Sequence, residues 1–231
     1  MLQASRFAQN AGGSAPLAGA DIVTKDISDW HAARGDETLK VDFPLDARSV
    51  VLDIGAYQGL WSEAISKRYG CRIHAYEPVK KFYVDAVERL KSHKNVEVHN
   101  HGLWTESGMM GIGVSDNSSG IFVETQREAC WFQDIIDIVN SIGLVNLIGM
   151  NCEGAEYNLL DKLISRGYIR NIGFLLVQFH AIKDVDVVAR YNKIRDALME
   201  THKLKWRYPF IWECWERRIG SFSSEPPFFS G

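Results

Sequence analysis

Ser49-Val50-Val51-Leu52-Asp53-Ile54-Gly55-Ala56-Tyr57-Gln58-Gly59 changes character twice. It opens as a β-branched apolar run, the pattern of a strand buried on both faces. The run ends at an acid and two glycines four apart. Beyond Gly59 the apolar residues Leu60, Trp61, Ala64, Ile65 and Tyr69 recur at helical spacing. Strand, glycine loop and helix are the first half of a βαβ unit. Such a loop lets backbone approach a ligand, and the helix start behind it offers free N–H groups.

The second half follows at once. Arg72-Ile73-His74-Ala75-Tyr76 reads as the next strand, with Glu77 at its end, 22 residues beyond Gly55. A carboxylate there can accept hydrogen bonds from both hydroxyls of a ribose. The pattern therefore points to a nucleoside-containing cofactor. A dinucleotide fingerprint would require G-x-G-x-x-G, but Tyr57 and Leu60 hold the second and third glycine places. Asp53 suits the amino group of an amino-acid-like ligand and ill suits a pyrophosphate. A nicotinamide oxidoreductase thus fits the ribose acid but not the glycine spacing.

Outward from this unit the chain alternates. Pro78 suits the start of a helix carrying Phe82, Tyr83, Ala86, Val87 and Leu90. Val96-Glu97-Val98 is a third strand, running into His99-Asn100-His101-Gly102-Leu103-Trp104. Met109–Val114 and Ile121–Glu124, separated by turn residues, predict a β-hairpin inserted beside the main sheet. A helix is expected over Trp131–Ile142, ended by Gly143. Val145–Met150 is the fourth strand, and a helix opens within Asn151–Glu156. Phe174–Phe179 is the fifth strand, ending at His180, and Val187–Met199 is a further helix. Leu204–Trp206 and Phe210–Trp215 bracket Tyr208-Pro209 as an antiparallel pair. The expected fold is α/β: a Rossmann-like, doubly wound, mostly parallel sheet with a hairpin insertion and a C-terminal antiparallel strand pair. Residues 1–48 read as an N-terminal strap whose first part is loose or a lid, 49–220 as the main domain, and 221–231 as a loose tail.

With 231 residues, 46% apolar and 24% charged, the chain has the composition of one soluble globular domain. A net charge of −3 without a basic run argues against nucleic acid as the partner. No apolar stretch reaches the length of a membrane span. Cys71, Cys130, Cys152 and Cys214 are scattered, which suits free thiols, and with no secretory signal a cytoplasmic location is expected.

Ligands of such a sheet sit outside the carboxyl ends of its strands. Those ends carry Asp53 to Gly59, Glu77, Asn100 to Trp104, Asn151 to Glu156, and Gln178 to His180. Val51-Leu52-Asp53-Ile54-Gly55-Ala56 and Ala75-Tyr76-Glu77-Pro78, with the later Cys152-Glu153-Gly154-Ala155-Glu156, resemble the FkbM-type S-adenosylmethionine-dependent methyltransferases. Asn100-x-Gly102-Leu103 is similar to that family's N-x-A-L, and the resemblance covers about residues 45–180. It implies a Rossmann-like fold of the class I methyltransferase type with S-adenosylmethionine as cofactor. The cofactor would be held by Asp53, Gly55, Ala56, Tyr57, Gly59, Glu77, Pro78, Asn100, Gly102, Leu103 and Asn151. It also implies O-methylation of a hydroxyl on a sugar, glycan or natural-product scaffold.

The chain departs from the family at Tyr57, usually Asn, at Asn151, usually Asp, and at Gln178, often Glu. Gly149-Met150 replaces a Lys-containing pair. These departures motivate an alternative: a non-catalytic cofactor- or ligand-binding module on the same fold. The loss of two acids also weakens any metal site at the strand ends.

Among single residues, His180 is the first candidate for a base, since its ordinary pKa lies near neutrality. The alternative is a histidine that only caps a strand end. Glu153 is the second candidate, whereas Glu156 reads as an acid favoured by a helix N-terminus. His99 and His101 alternate along a strand, but with no third ligand evident no metal is expected. Trp206, Trp212 and Trp215 are suited to a sugar, to the core or to a homodimer surface.

Overall fold

The computed structural model describes residues 27–114, 119–122, 127–182 and 185–218. The expected lid over residues 1–20 and the loose tail from Ser221 lie outside them. In chain order the main elements are β1 (Val50–Ile54), α1 (Leu60–Tyr69), β2 (Arg72–Tyr76), α2 (Lys80–Leu90), β3 (Val96–His99), β4 (Gly102–Trp104), β5 (Gly108–Gly113) and β6 (Arg127–Asp134). Then come α3 (Ile135–Ile142), β7 (Val145–Met150), α4 (Glu156–Ser165), β8 (Ile172–Val177), α5 (Val187–Met199), β9 (His202–Tyr208) and β10 (Trp212–Arg217).

Seven strands form one sheet in the order β3-β2-β1-β7-β8-β10-β9. The first five run parallel, and β10 is antiparallel to both β8 and β9. This is the α/β fold class expected from the sequence. On one face Leu52, Ile54, Ile148, Met150, Leu175 and Val177 meet the apolar sides of α3, α4 and α5. On the other, Val51, Ile73, Leu147 and Leu176 meet Ile65 of α1 together with Trp30, Val41 and Phe43 of the N-terminal segment. Alternate residues of each central strand are buried on opposite faces, which is why these strands read as continuous apolar runs. Trp212 and Trp215 are buried and belong to these cores.

Helix α1 differs from its expected apolar stripe. Leu60 and Ala64 are exposed, whereas Ser62, Ile65 and Ser66 are buried. The two serines are tolerated inside because each has a partner. Ser62 Oγ donates to Asp53 Oδ2 at 2.6 Å, and Ser66 Oγ lies 2.8 Å from His93 Nδ1. Apolar periodicity alone could not reveal this face, since two of its members are polar.

The expected hairpin is also corrected. Strand β5 pairs antiparallel with β6, and β4 adds to β6 in parallel, while beside the expected partner strand β5 makes a single antiparallel bridge, Gly113 to Gly120. Residues 121 and 122 lie in a turn, and 123–126 are outside the described residues. The insertion is therefore a three-stranded sheet. Trp131–Asp134, read as the start of a helix, closes β6. Its alternation shows the reason: Cys130 and Phe132 point inward onto Val79 and Phe82, while Trp131 is exposed. The helix starts one residue after Asp134, whose side chain caps it by accepting from Ile136 N at 2.9 Å.

Gly149 of β7 pairs with Asp53 of β1. The Trp61 ring lies against it, so that a Cβ there would come within 2.6 Å of the ring. Trp61 is fixed from its far side as well, donating from Nε1 to the Lys40 carbonyl at 2.7 Å. Gly149→Ala is therefore expected to destabilise the fold by about 1–3 kcal/mol, the usual cost of overpacking a filled site. Urea unfolding should show a lower midpoint with an unchanged slope.

Candidate cofactor and active site

The loop after β1 is built by backbone. The N–H groups of Gly55 and Ala56 both donate to the Tyr76 carbonyl at 3.1 Å, which ties the end of β1 to the end of β2. Gly55 has φ +85°, and a Cβ on it would run into the Asn151 carbonyl oxygen. Only glycine satisfies both demands. Gly59 has φ +76°, and a side chain there would meet Leu90 of α2 at 2.8 Å. Tyr57 stands between them in the same left-handed region, φ 52°, although it is not a glycine. Its ring packs 4.4 Å from that of Phe82.

Two buried acids flank this loop. Glu77 is 5% exposed. Its Oε2 accepts from Tyr57 N and its Oε1 from Val79 N, both at 2.8 Å. Burial raises its pKa to about 7, against the lowering effect of those two hydrogen bonds. A carboxylate has about four lone-pair sites, so two remain for a ligand. Asp53 is 6% exposed. Burial raises its pKa to about 6, opposed by the Ser62 hydroxyl and the Lys40 charge.

A cavity of about 150 Å³ opens beside Asp53, with Gly55, Ala56, Tyr57 and Asn151 among its lining residues. Lys40, Leu60, Trp61, Gly149, Leu176 and Trp212 complete it. Sequence reasoning missed Lys40. It comes from the N-terminal segment, far from any motif, and no local pattern marks it. Its ammonium lies 4.4 Å from the Trp212 ring centroid and 3.1 Å from Asp36 Oδ1. The sequence pattern shows Trp61 only as part of a helix stripe, and Trp212 as suited to a sugar, to the core or to a homodimer surface.

The remaining expected cofactor residues do not all reach this cavity. The Asn100 side chain donates to the carbonyls of Glu77 and Pro78 at 3.1 and 3.2 Å. It braces the turn that carries Glu77. Gly102 gives room to the Phe132 ring, and Leu103 is 2% exposed within the core. Their side positions are used for packing, so in the structure these two support the site and do not line the cavity.

The second group of residues lies two strands along, at the ends of β7 and β8. Glu156, read from the sequence as a helix-start acid, does open α4 but is fully buried with several partners. Its Oε1 accepts from His180 N at 2.7 Å and lies 3.0 Å from His180 Nδ1. Its Oε2 accepts from Gly154 N at 3.0 Å. Burial alone would raise its pKa, but the imidazole and these donors bring it below the ordinary value. Burial likewise pushes His180 down, but Glu156, with help from Glu153, more than offsets it and leaves its pKa raised.

Among the described residues the buried Nε2 of His180 has no hydrogen-bond partner, and it stands 3.5 Å from Glu153 Oε1. Glu153 itself has φ 53°, left-handed backbone that costs a non-glycine residue energy. The structure thus brings both expected catalytic residues together and adds Glu156. The arrangement is a histidine oriented through Nδ1 by a buried carboxylate, with a buried Nε2 that faces Glu153.

No protein-family model matches the chain, and no curated protein matches it. Solved structures do match. An rRNA methylase from Streptococcus thermophilus is 12% identical, with 80% of this chain and 94% of that chain covered and a TM-score of 0.47. A ribosomal protein L11 methylase from Lactobacillus delbrueckii subsp. bulgaricus is 16% identical, covering 81% and 80%, with a TM-score of 0.45. M. capricolum TrmK, in complex with its cofactor product S-adenosyl-homocysteine, is 9% identical, covering 79% and 68%, with a TM-score of 0.45.

Proposed function

We propose that the chain is an S-adenosylmethionine-dependent methyltransferase that methylates a hydroxyl of a sugar, glycan or natural-product acceptor. The observation that carries the reading is Glu77. It is a buried carboxylate at the end of β2, held by two backbone N–H groups beside a glycine loop that no side chain could enter. That geometry suits a ribose. The residues fit the rest of the cofactor as well. Asp53 suits an ammonium group, and Lys40, on the same cavity, suits the α-carboxylate of an amino-acid tail. The cavity is smaller than the roughly 300–1,000 Å³ of a ligand pocket. Its size would suit the amino-acid end of the cofactor, with Glu77 as the residue that would hold the ribose. When bound, the cofactor supplies a methyl group already activated by a sulfonium.

What the chain must add is position and a base. The residues around the cofactor would hold the acceptor hydroxyl in line with the methyl group that the cofactor supplies. His180 Nε2 takes the hydroxyl proton, and the Glu156 carboxylate stabilises the imidazolium that results. Glu153 orients the acceptor hydroxyl or His180. The acceptor class rests on the family resemblance of the motifs.

Two predictions follow from these roles. Calorimetric titration should show S-adenosylhomocysteine binding. Asp53→Ala and Glu77→Ala should each weaken it about ten- to a hundredfold, the value of a lost contact worth ~1.5–3 kcal/mol. Absence of both heat and thermal shift at millimolar ligand would sink the cofactor assignment. Heat without methyl transfer to any acceptor in a radiolabelled screen of sugars, nucleotide sugars and glycans would favour the non-catalytic module instead.

The second concerns the base. His180→Ala should leave cofactor affinity nearly unchanged and lower turnover by ~10²–10⁴. Because the base acts only when deprotonated and its pKa is raised, the rate should rise with pH through an inflection above the ordinary histidine value of 6.5. Glu156→Gln should move that inflection to lower pH. A full rate in His180→Ala with the pH profile intact would leave Glu153 as the base.

A further inference from the structure

Strands β2 and β3 carry a second cluster of ligand-type side chains that the proposed reaction does not use. In their parallel register His74 pairs with Glu97, and Tyr76 with His99. Paired residues share a face, so all four side chains project from the same side of the sheet at its edge. His74 Nδ1 lies 3.2 Å from His99 Nε2 and 3.5 Å from Glu97 Oε2. One ligand atom from each of the three residues falls within 4.8 Å of the others. The sequence could not show this set. Along its own strand His99 stands beside His101, but the imidazole within hydrogen-bond distance of it is that of His74, 25 residues away and across a strand pair.

We infer that His74, Glu97 and His99 form a binding site for a divalent transition-metal ion of the zinc type. The donor set, two imidazoles and a carboxylate, suits zinc and its neighbours, not magnesium or calcium, which take oxygen ligands. The spacing suits it too. Two nitrogens each about 2.0–2.1 Å from a tetrahedral ion lie about 3.3 Å apart, close to the separation between these two rings. The imidazoles are held in place. The His99 ring stacks on that of Tyr76, with centroids 4.6 Å apart, and His101 packs edge-on against Tyr76. The side chains of His74 and His99 are 17% and 20% exposed, whereas that of Glu97 is 65% exposed. Two ligands are thus fixed, and the third turns freely to close on the ion, with solvent supplying the fourth position.

An ion there would clamp edge strand β3 to β2. The clamp would act next to the ribose acid, since the His99 carbonyl accepts from Glu77 N at 3.0 Å. The site does not depend on the methyltransferase reading, because all its ligands lie outside the proposed cofactor and base residues.

The test uses the full chain, stripped with a chelator and dialysed, and Zn²⁺ alone as probe. Calorimetry should find one tight equivalent per chain, and the melting temperature should rise with Zn²⁺ but not with Mg²⁺. Co²⁺ should give the intense visible bands of a four-coordinate ion. His74→Ala and His99→Ala should each abolish the tight equivalent and the cobalt spectrum. Glu97→Gln, at an exposed position that leaves folding intact, should weaken binding by at least the roughly 10–100-fold that loss of even an outer-shell partner costs. Circular dichroism establishes that each variant is folded. If Zn²⁺ binds no more tightly to the native chain than to Glu97→Gln or the folded histidine variants, the proposal fails. The 3.2 Å contact is then only a hydrogen bond between two imidazoles.

Discussion

No side chain fits at Gly55. Its φ of +85° and the Asn151 carbonyl packed against its Cα leave room for hydrogen alone. The rest of the site follows from this close approach. It allows the loop after β1 to fold flat over the end of β7, and it aims the N–H groups of Gly55 and Ala56 at the Tyr76 carbonyl. Asn151 N completes the tie by donating to the Ile54 carbonyl at 3.0 Å. Three strand ends are thereby fastened by main chain, and side chains refine the placement: Asn100 braces the turn that carries Glu77, and Ser62 holds the Asp53 carboxylate. A larger residue at Gly55 would separate β1 from β7 where the cavity lies.

The three buried acids of the site show how differently one chain can treat a carboxylate. Glu156 is given a full partner. Its oxygens are engaged by His180 and by backbone, and its charge is kept. Glu77 is given two backbone donors and no cation, and burial wins, so that it sits near the border of ionisation at neutral pH. Asp53 has one hydroxyl donor and a lysine at the edge of its cavity. Asp53 and Glu77 also repel each other. Two incompletely compensated acids in one place favour a ligand that brings positive charge, and disfavour a phosphate-bearing one. An ammonium and a sulfonium on the ligand satisfy this condition, a pyrophosphate does not. The electrostatics thus reach the same conclusion as the glycine spacing.

Much of this was legible in the sequence, and what was not has identifiable causes. The β1 loop, Glu77 and the antiparallel C-terminal pair were readable because local signals coincide there: apolar runs, glycines at fixed offsets and turn residues. The second sheet was misread where periods compete. Trp131–Ile142 contains residues that suit a helix, but only the part after Asp134 has a cap. The apolar stripe of α1 holds at Trp61, Ile65 and Tyr69, but it leaves out Ser62 and Ser66, which are inside through hydrogen bonds that a hydrophobic pattern cannot register. Lys40 and the His74–His99 contact were invisible for a third reason. Each joins residues distant in the chain, and only the strand order brings them together.

The His180–Glu156 pair carries a tension that bears on how the site works. A base is useful when it is free to accept a proton, yet Glu156 favours the protonated ring. If Glu156 served only to strengthen the base, a mutual ion pair at rest would be a poor design, because part of the histidine would already hold its proton. The geometry offers a different role. Glu156 Oε1 accepts from the main-chain N–H of residue 180 as well as facing the ring, so it fixes both the backbone and the imidazole of the same residue. With Nδ1 committed to Glu156, Nε2 is the ring nitrogen left over, and it faces Glu153 at 3.5 Å. Orientation and tautomer are thereby set before any acceptor arrives. The raised pKa is the consequence of that fixation. Under the proposed role of His180 as base, the site would give up some free base at neutral pH and gain an imidazole held in one orientation.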